Sequence, residues 1–437
     1  MALNKASDQF LLDAYSGQNG FLTGQYLVRH PREPDEKFRR RQEVAVYPNF
    51  VRKIVDTYLG FLWRRTPVRE VSDLYAGFSE NADGRQRDID HVMMHFQRLA
   101  MLLGTVYVLV DRRPGPVRTR ADESLPYLSL RLPEQLVDYQ LNDSGQFLRA
   151  VFQEQTPAGE HQFRIFTTDG WIVARDDQGV QTIDAGRYDF GKVPVVALHS
   201  NMPLNPTDIR SQGWAFDMAQ LNWDLFNLRS ELRELFRAQT FAILALPISD
   251  PGERERLKDM TVSTENAMTY DPAHGGQPAF IAPPDDPVRL YMDQIEATIQ
   301  DIYRVANLEF VGGVQQSGVA LSFHFQEANA ELMTMADLCE RAEKEIAWLV
   351  HAWLGQEFNG NIAYPRDFNL NDLSRALAQT MDAVSLNISP QFDMAIKKRL
   401  ARQILAEDIA PSEMEAILRD IEAQGDQYGD RIQREGQ

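Results

Sequence analysis

The chain has almost no cysteine and no long apolar run. Cys339 is the single cysteine among 437 residues, so an intramolecular disulfide and a cysteine-based zinc site are excluded and a reducing, cytosolic setting is expected. The longest apolar runs are AMLLGTVYVLV (Ala100–Val110) and FAILALPI (Phe241–Ile248). A membrane helix needs about 20 apolar residues, so we expect no membrane partner. The opening residues MALNKASDQF lack the basic and apolar regions of a signal peptide, and none is expected.

The motifs of common enzyme classes are also missing. The sequence contains no GxxxxGK[ST], no GxGxxG after a strand, no HExxH and no GxSxG. His91 and His95 are four residues apart, and His324 and Glu327 share a helix face, but neither pair has further ligands at metal-site spacing. The carboxylates show no spacing that singles out a catalytic pair. We therefore expect no catalytic activity, no cofactor and no bound metal.

The charge is strongly acidic. The formal net charge is −18, which argues against avid binding of nucleic acid because such affinity comes largely from neutralised phosphates. The charge is uneven, since residues 1–70 carry 12 Lys/Arg against 8 Asp/Glu and residues 405–437 carry 3 against 9. Apolar residues at 43% and charged residues at 25% indicate an ordinary globular chain.

Hydrophobic periodicity predicts helices in the N-terminal region and strands after them. The predicted helices are Asp8–Tyr15, Glu33–Val46, Asn49–Leu62 and Asp88–Leu103. Short runs rich in β-branched and aromatic residues follow: TVYVLVD, YLSLRL, LVDYQL, FLRAVFQ, HQFRIFTT, GWIVA and GKVPVVALHS. This succession predicts an antiparallel α+β unit over about residues 100–200.

A second helical region follows this unit. Asp208–Phe241 is predicted to be helical, with one apolar stripe whose members are spaced by 4, 3, 4 and 3 residues: Leu221, Leu225, Leu228, Leu232 and Leu235. FAILALPI, AMTY and PAFIA are predicted strands in a region rich in Pro, Gly and Asp, which also holds a helical piece, ERERLKDM. Pro287–Val305 is the next predicted helix.

The longest predicted helix begins beside a Gly- and Gln-rich stretch, VQQSGVAL. From Leu321 to Trp353 an apolar residue recurs at alternating intervals of four and three positions. This spacing predicts a helix roughly 50 Å long. Two alternatives remain open at this point: a core helix with one buried seam, or a coiled coil. The residues after Asp372 are predicted to be helical in pieces, each opening with an N-cap or N1 proline.

Several of these stretches together resemble the bacteriophage portal proteins. They are YLVRHPREPDEKFRRRQEVAVYPNFVRKIVDTYLGFLWRRTP (Tyr26–Pro67), GTVYVLVD, GKVPVV, and QQSGVAL followed by the long helix. Each stretch is short and mostly apolar. Their order and spacing over residues 26–355 carry the resemblance, whereas the last 80 residues match only in being helical.

The resemblance implies an α+β portal-type fold with a wing, a two-helix stem, a β-containing clip, a long α wing helix and a small helical crown. The implied parts are the N-terminal wing (1–210), a stem helix (211–240), the clip (241–286), a second stem helix (287–306), a tunnel loop (307–319), the long wing helix with a following strand (320–370) and the crown (371–437).

The implied function is a portal ring at the capsid vertex of a virion, assembled in the host cytoplasm. It would contain about 12 subunits and would form the channel for genome packaging and ejection. The expected partners are double-stranded DNA passing without sequence recognition, the major capsid protein, the terminase and the head–tail adaptor. The acidic balance fits this role because a mostly negative tube lets DNA slide, whereas strong cations would hold it.

The resemblance also implies two sets of site residues. The tunnel loop would face the channel with Gly312, Gly313, Gln315, Gln316, Ser317 and Gly318, since glycines permit tight bends and the polar side chains are uncharged. The leucine stripe of the first stem helix (Leu221, Leu225, Leu228, Leu232 and Leu235) would contribute to the contact between subunits. The alternatives are another phage head or neck component or a helical scaffold without a channel, and, as a separate class, an enzyme with no recognisable motif.

Overall fold

The computed structural model describes residues 7–112, 125–156, 159–175, 181–205, 207–240, 243–248, 252, 267–270, 276–281, 286–308, 318–366, 368, 398 and 417–419. The chain divides into two compact units, Met1–Phe368 and Asn369–Gln437. The predicted helical region 371–437 falls in the second unit and lies outside the described residues, apart from positions 398 and 417–419, which are helical.

The first unit combines helices with mostly antiparallel sheets, which confirms the predicted α+β class. Its N-terminal helices are α1 (Asp8–Ser16), α2 (Asp35–Glu43), α3 (Phe50–Leu62), α4 (Asp73–Ser79) and α5 (Ile89–Leu103). Side-chain caps fix most of their starts: Ser7, Asn49, Ser72 and Asp88 each accept a hydrogen bond from a backbone N–H of the first turn. The later helices are α6 (Phe216–Thr240), α7 (Asp286–Val305) and α8 (Gly318–Ala352).

The strands form small sheets. They are β1 (Val68–Glu70), β2 (Thr105–Asp111), β3 (Tyr127–Arg131), β4 (Leu136–Leu141), β5 (Phe147–Gln155), β6 (His161–Thr167), β7 (Gly170–Arg175), β8 (Gln181–Arg187), β9 (Val195–His199), β10 (Ile243–Pro247), β11 (Ala267–Tyr270), β12 (Ala279–Ile281) and β13 (Asn361–Ala363). The sheet orders are β3-β2-β9, β4-β5-β6-β7-β8, β11-β10-β12 and β1-β13. Every described pairing is antiparallel except that between β10 and β11.

Strand β2 divides the core into two parts. All seven of its residues are buried. Val106, Val108 and Val110 belong to the large helical core, whereas Tyr107 and Leu109 pack with Phe152 and Phe166 of the five-stranded sheet. Because successive side chains in a strand point to opposite faces, one strand joins both layers.

The long helix α8 is a core helix. Of the eight predicted seam members whose side chains the structure describes, seven are buried within the chain (Ala328, Leu332, Met335, Cys339, Ala342, Ile346 and Leu349), and Trp353, just after the helix, is partly buried. Its 35 residues span roughly 52 Å at 1.5 Å per residue. The first of the two open alternatives, a helix with one buried seam, therefore holds for this part of α8.

An ion pair ties α8 to the small sheet β1-β13. Glu343 is fully buried and accepts hydrogen bonds from Arg69 Nε at 2.6 Å, Tyr75 Oη at 3.1 Å and Tyr364 Oη at 2.6 Å. Arg69 also contacts the Asp90 carboxylate at 2.6 Å. The buried carboxylate is thus surrounded by donors, as a charge in the core must be.

The predicted helix over Asp208–Phe241 begins later than predicted, at Phe216. The preceding residues pack against the end of α5, where Gly104 has φ +86° and a Cβ there would lie 1.8 Å from the Ser211 carbonyl oxygen. Ser211 Oγ donates to the Gly104 carbonyl at 2.7 Å, and Ala215 N donates to the Met101 carbonyl at 2.9 Å. These tertiary hydrogen bonds replace the helical ones that the local pattern predicts.

Candidate assembly site on the paired helices

Helices α6 and α7 pack side by side and form the frame of the candidate site. Tyr291 Oη of α7 donates to a Glu231 carboxylate oxygen of α6 at 2.9 Å, and burial raises the pKa of this tyrosine. Further along α7, Thr298 and Ile302 are buried. The half of α7 that precedes them is exposed on its other face, since Leu290 is 68% and Met292 is 53% exposed.

A three-stranded β unit connects the two helices. Strand β10 follows α6 almost directly, β12 precedes α7, and the two pair antiparallel with Ile243 opposite Ile281. The C-terminal end of α6 and the N-terminal end of α7 are therefore adjacent, and the helices run antiparallel. In β12, Phe280 is 75% exposed, so the described part of this unit carries a large apolar side chain on its surface.

A groove lies between α6 and the segment that joins α2 to α3. We call it the Phe236 groove, and it encloses about 220 Å³. Its lining residues are Val44, Ala45, Val46, Arg229, Ser230, Leu232, Arg233 and Phe236. Arg233 Nη1 donates to the Val44 carbonyl and holds the segment against the helix. Val46 and Phe236 remain largely exposed, so the groove has apolar walls with guanidinium groups beside them.

The predicted leucine stripe is divided between two environments. Leu225 is fully buried among the subunit's own core residues and cannot contact another subunit in this structure. Leu221 is partly buried against the same core. Leu228, Leu232 and Leu235 are partly exposed, and Leu232 lines the Phe236 groove. The stripe faces inward at the start of α6 because α3 packs there, with Phe50 N donating to Asn222 Oδ1 at 2.9 Å.

The end of α7 is anchored where the predicted tunnel loop begins. Tyr58 Oη donates to the Ala306 carbonyl at 2.7 Å, and Leu308 N donates to the Tyr303 carbonyl at 2.8 Å. Asn307, which lies between Ala306 and Leu308, adopts φ +52°, a left-handed conformation that asparagine tolerates at helix ends. Leu308 is buried. The chain therefore leaves the helix from a fixed point.

A partly buried carboxylate of α8 holds this anchor. Glu331 accepts hydrogen bonds from Asn307 Nδ2 at 2.9 Å and from Trp214 Nε1 at 2.5 Å. Burial raises the pKa of Glu331, although the two hydrogen bonds favour the ionised form. Sequence reasoning missed this cluster. Its only local signal is a glutamate directly beside the seam residue Leu332, which does not identify a partner.

The predicted tunnel-loop residues Gly312, Gly313, Gln315, Gln316 and Ser317 lie outside the described residues. Gly318 is the first residue of α8. The position of the loop relative to a channel therefore stays a prediction from the sequence.

The candidate metal ligands are not grouped together in the part of the chain that the structure describes. The described residues include no group of three or more His, Cys, Asp or Glu side chains that could hold a metal ion. His91 hydrogen-bonds Asp88 at the start of α5, at 2.8 Å. Cys339 is buried, and burial raises the pKa of its thiol. Within the same residues, none of the helices has the length and apolarity that crossing a membrane would need.

No protein-family model matches the sequence, and a comparison with curated proteins finds none that is similar. Among solved structures, the chain is similar to one in the neck of an empty GTA particle computed with C6 symmetry, with 13% identity, a TM-score of 0.43 and coverage of 85% of this chain and 90% of that one. A chain in the virion of a native gene transfer agent (GTA) particle has 14% identity and a TM-score of 0.42, with 94% and 99% covered. A chain in the neck of a native GTA particle computed with C12 symmetry has 14% identity and a TM-score of 0.42, with 84% and 88% covered. These TM-scores are too low to assign a function to the chain.

Proposed function

We propose that the chain is a portal subunit, a non-catalytic component of a ring through which double-stranded DNA passes. The observation that carries the proposal is the order of elements along α6–β10–β11–β12–α7–α8: two antiparallel helices bracket a small β unit, and a 35-residue helix follows. The sequence resemblance to portal proteins implies this order, with the helix pair as stem and the β unit as clip. The capsid protein, terminase and adaptor follow as partners from that resemblance.

The exposed surface of the helix pair supports assembly with further copies of the chain. A second copy of the chain that covered Leu290 and Met292 would bury apolar surface that the single subunit exposes. These two residues lie about 160° apart around α7, on opposite flanks of its exposed face. The Phe236 groove is a different surface, on α6. Two different surfaces that fit each other make a heterologous contact, which closes into a ring when the rotation permits.

The charges of these two surfaces are complementary. Arg229 and Arg233 border the groove. On α7, Asp293 and Glu296 are exposed near Leu290 and Met292. We therefore propose that the exposed face of α7 of one subunit occupies the Phe236 groove of its neighbour. Apolar burial would supply most of the affinity, and the charges would fix the orientation.

The mass of the assembled protein tests the ring. A ring of about 12 copies of the 49.9 kDa chain would weigh roughly 600 kDa by light scattering after gel filtration, and negative-stain images would show a central hole. A protein that remains a 49.9 kDa monomer at micromolar concentration in several salts would contradict the proposal.

A single substitution tests the contact. Phe236→Asp places a charge in the apolar wall of the groove, and we expect a folded subunit that no longer forms rings, because an unpaired charge cannot be buried at low cost. Leu204→Asp is the matched control, since Leu204 is 97% exposed and does not line the groove. Rings of Phe236→Asp as abundant as those of Leu204→Asp would exclude the groove as a subunit contact.

A further inference from the structure

A second cavity lies on the N-terminal part of the first unit, away from the residues of the Phe236 groove. It encloses about 390 Å³ between the loop that precedes α5, helix α5 itself and strand β3. Its polar lining includes Arg85, Arg87, His95 and Arg131, and Phe96 and Tyr127 supply apolar walls. We call it the arginine cavity. A concentration of guanidinium groups is unexpected in a chain with a net charge of −18.

Hydrogen bonds hold the loop that carries two of these arginines. Ala82 N donates to the Arg87 carbonyl at 2.8 Å, and Leu128 N of β3 donates to the Ala82 carbonyl at 2.7 Å. Asp83 is nearly buried and accepts from the backbone N–H of Arg85 at 2.8 Å. Gln86 has φ +67°, which costs free energy for a residue other than glycine. The loop is therefore a preorganised support rather than a plain surface turn.

The positive charges of the cavity are incompletely neutralised. Arg87 pairs with Asp83 through its Nε atom at 2.6 Å. Arg131 pairs with Glu154, a carboxylate that Arg164 also approaches at 3.4 Å. Arg85 has neither an ion pair nor a side-chain hydrogen bond with any residue in the described part of the chain. No residue that the structure describes therefore occupies the donors of the Arg85 guanidinium group at the cavity.

We propose that the arginine cavity binds a phosphate group. Two guanidinium groups from one rigid loop, Arg85 and Arg87, present more N–H donors than the two oxygens of a carboxylate can accept, whereas a phosphate group offers three or four oxygens. The cavity volume exceeds that of a phosphate ion, and the Phe96 and Tyr127 side chains leave room for an organic group attached to it. The phosphate comes either from a free nucleotide or from a nucleic-acid backbone.

His95 also lines the cavity and makes its affinity for an anion sensitive to pH. Its pKa is lowered by burial and by the positive charges of Arg87 and Arg98. The other charged or titratable groups that line the cavity with it are Asp83, Arg85, Tyr127 and Arg131. A bound anion would offset the positive charges and raise the pKa of His95, so binding would be accompanied by proton uptake and would strengthen as the pH falls through the titration range of His95.

The binding experiment uses the full-length chain and calorimetric titration with inorganic phosphate, adenosine monophosphate and a short duplex DNA. We expect saturable binding of inorganic phosphate that weakens by about tenfold or more in Arg85→Ala. Arg187→Ala is the matched control, because Arg187 is an exposed arginine of β8 outside the cavity lining, and it should leave the affinity within about twofold of wild type. Tighter binding of the nucleotide than of the duplex would assign the site to a free nucleotide, and the reverse order to a nucleic-acid backbone.

Sulfate provides the pH test, because it has the shape of phosphate but does not titrate near neutral pH. We expect sulfate affinity to rise as the pH falls and His95→Gln to remove that dependence while leaving the subunit folded. Two results would overturn the proposal: no saturable binding of phosphate by the wild-type protein, or equal affinities for Arg85→Ala and Arg187→Ala. Neither result would affect the ring measurements, so this inference and the proposed function can fail separately.

Discussion

Arg69 and Glu343 form an ion pair whose carboxylate is completely buried. Arg69→Met would leave that carboxylate with two tyrosine hydroxyl groups as its donors among the described residues. We expect the substitution to lower the free energy of unfolding by about 3 kcal/mol or more, because the remaining charge is uncompensated in the core. Urea unfolding followed by circular dichroism measures this.

The matched control for that experiment is Arg149→Met. Arg149 pairs with Asp138 across two strands, and both side chains are about half exposed, at 43% and 54%. An exposed pair contributes about 0–1 kcal/mol. If the two variants lost the same free energy, the Arg69–Glu343 pair would not hold α8 to β1.

Glu331 gives a prediction about pH. Its pKa is raised by burial, so folding favours the protonated form of this carboxyl group. The stabilisation is fully present below the unfolded-state pKa and is lost as the pH rises through the higher folded-state pKa. We therefore expect the stability of the wild-type chain to fall relative to Glu331→Gln as the pH rises above 4.5, the ordinary value for a glutamate. Urea unfolding at several pH values measures the difference.

The control for this pH series is Glu80→Gln, which changes an exposed glutamate. The difference between wild type and Glu80→Gln should vary less with pH than the difference between wild type and Glu331→Gln. A constant difference for Glu331→Gln over the whole series would mean that the carboxyl group does not titrate differently in the folded chain.

Within helix α6, the leucine stripe predicts two different outcomes for the same substitution. Leu225→Asp buries a charge in the subunit's own core, and we expect it to prevent folding. Leu232→Asp changes a partly exposed residue of the Phe236 groove, so the subunit should fold but assemble poorly. Circular dichroism and gel filtration separate the two effects. A soluble, folded Leu225→Asp monomer would place that residue in the subunit contact after all.

The helices and strands differ in how well the sequence predicts them. Strand β2 has the predicted bounds, Thr105–Asp111, because the six consecutive β-branched, aromatic and apolar residues before Asp111 carry a strong local preference. Helices α3 and α5 begin within one residue of their predicted starts because Asn49 and Asp88 cap them. The short elements β1 and α4 were not predicted, and β13 was expected only as a strand after the long helix, without bounds or a pairing partner. Three residues of strand carry no detectable period, and Val68 pairs with Ala363, far along the chain.

For the assembled protein, the proposed channel role predicts that the rate of DNA packaging depends on the charge of the tunnel loop. Gln315→Lys with Gln316→Lys would add two cations to the predicted tunnel loop, and we expect slower DNA packaging, with a larger effect at low salt where the added charges are less screened. Gln315→Asn with Gln316→Asn is the control that keeps the loop uncharged. If particles that contain either altered ring package DNA at the same rate, the loop does not face DNA.

The candidate sites were predictable only in part. The helix pair and its β insertion follow from the local pattern of residues 216–305, and so does the position of the long helix after them. The Phe236 groove could not be predicted from the local pattern, because Val44–Val46 and Phe236 are far apart in the chain. They meet only when α6 packs beside the segment between α2 and α3. The same holds for Asn307, Trp214 and Glu331, whose hydrogen bonds join three separate parts of the chain.

The sequence by itself determined the α+β class, the seam of α8 and the order of the elements, because periodicity and capping act over a few residues. Only the tertiary structure decided which surface each element shows. It buries Leu225 while leaving Phe236 exposed on the same helix. It pairs Arg69 with Glu343, whereas the Arg85 side chain has no partner among the residues that the structure describes. Burial and ion pairing depend on which distant segments pack together, and residue spacing along the chain does not record that packing.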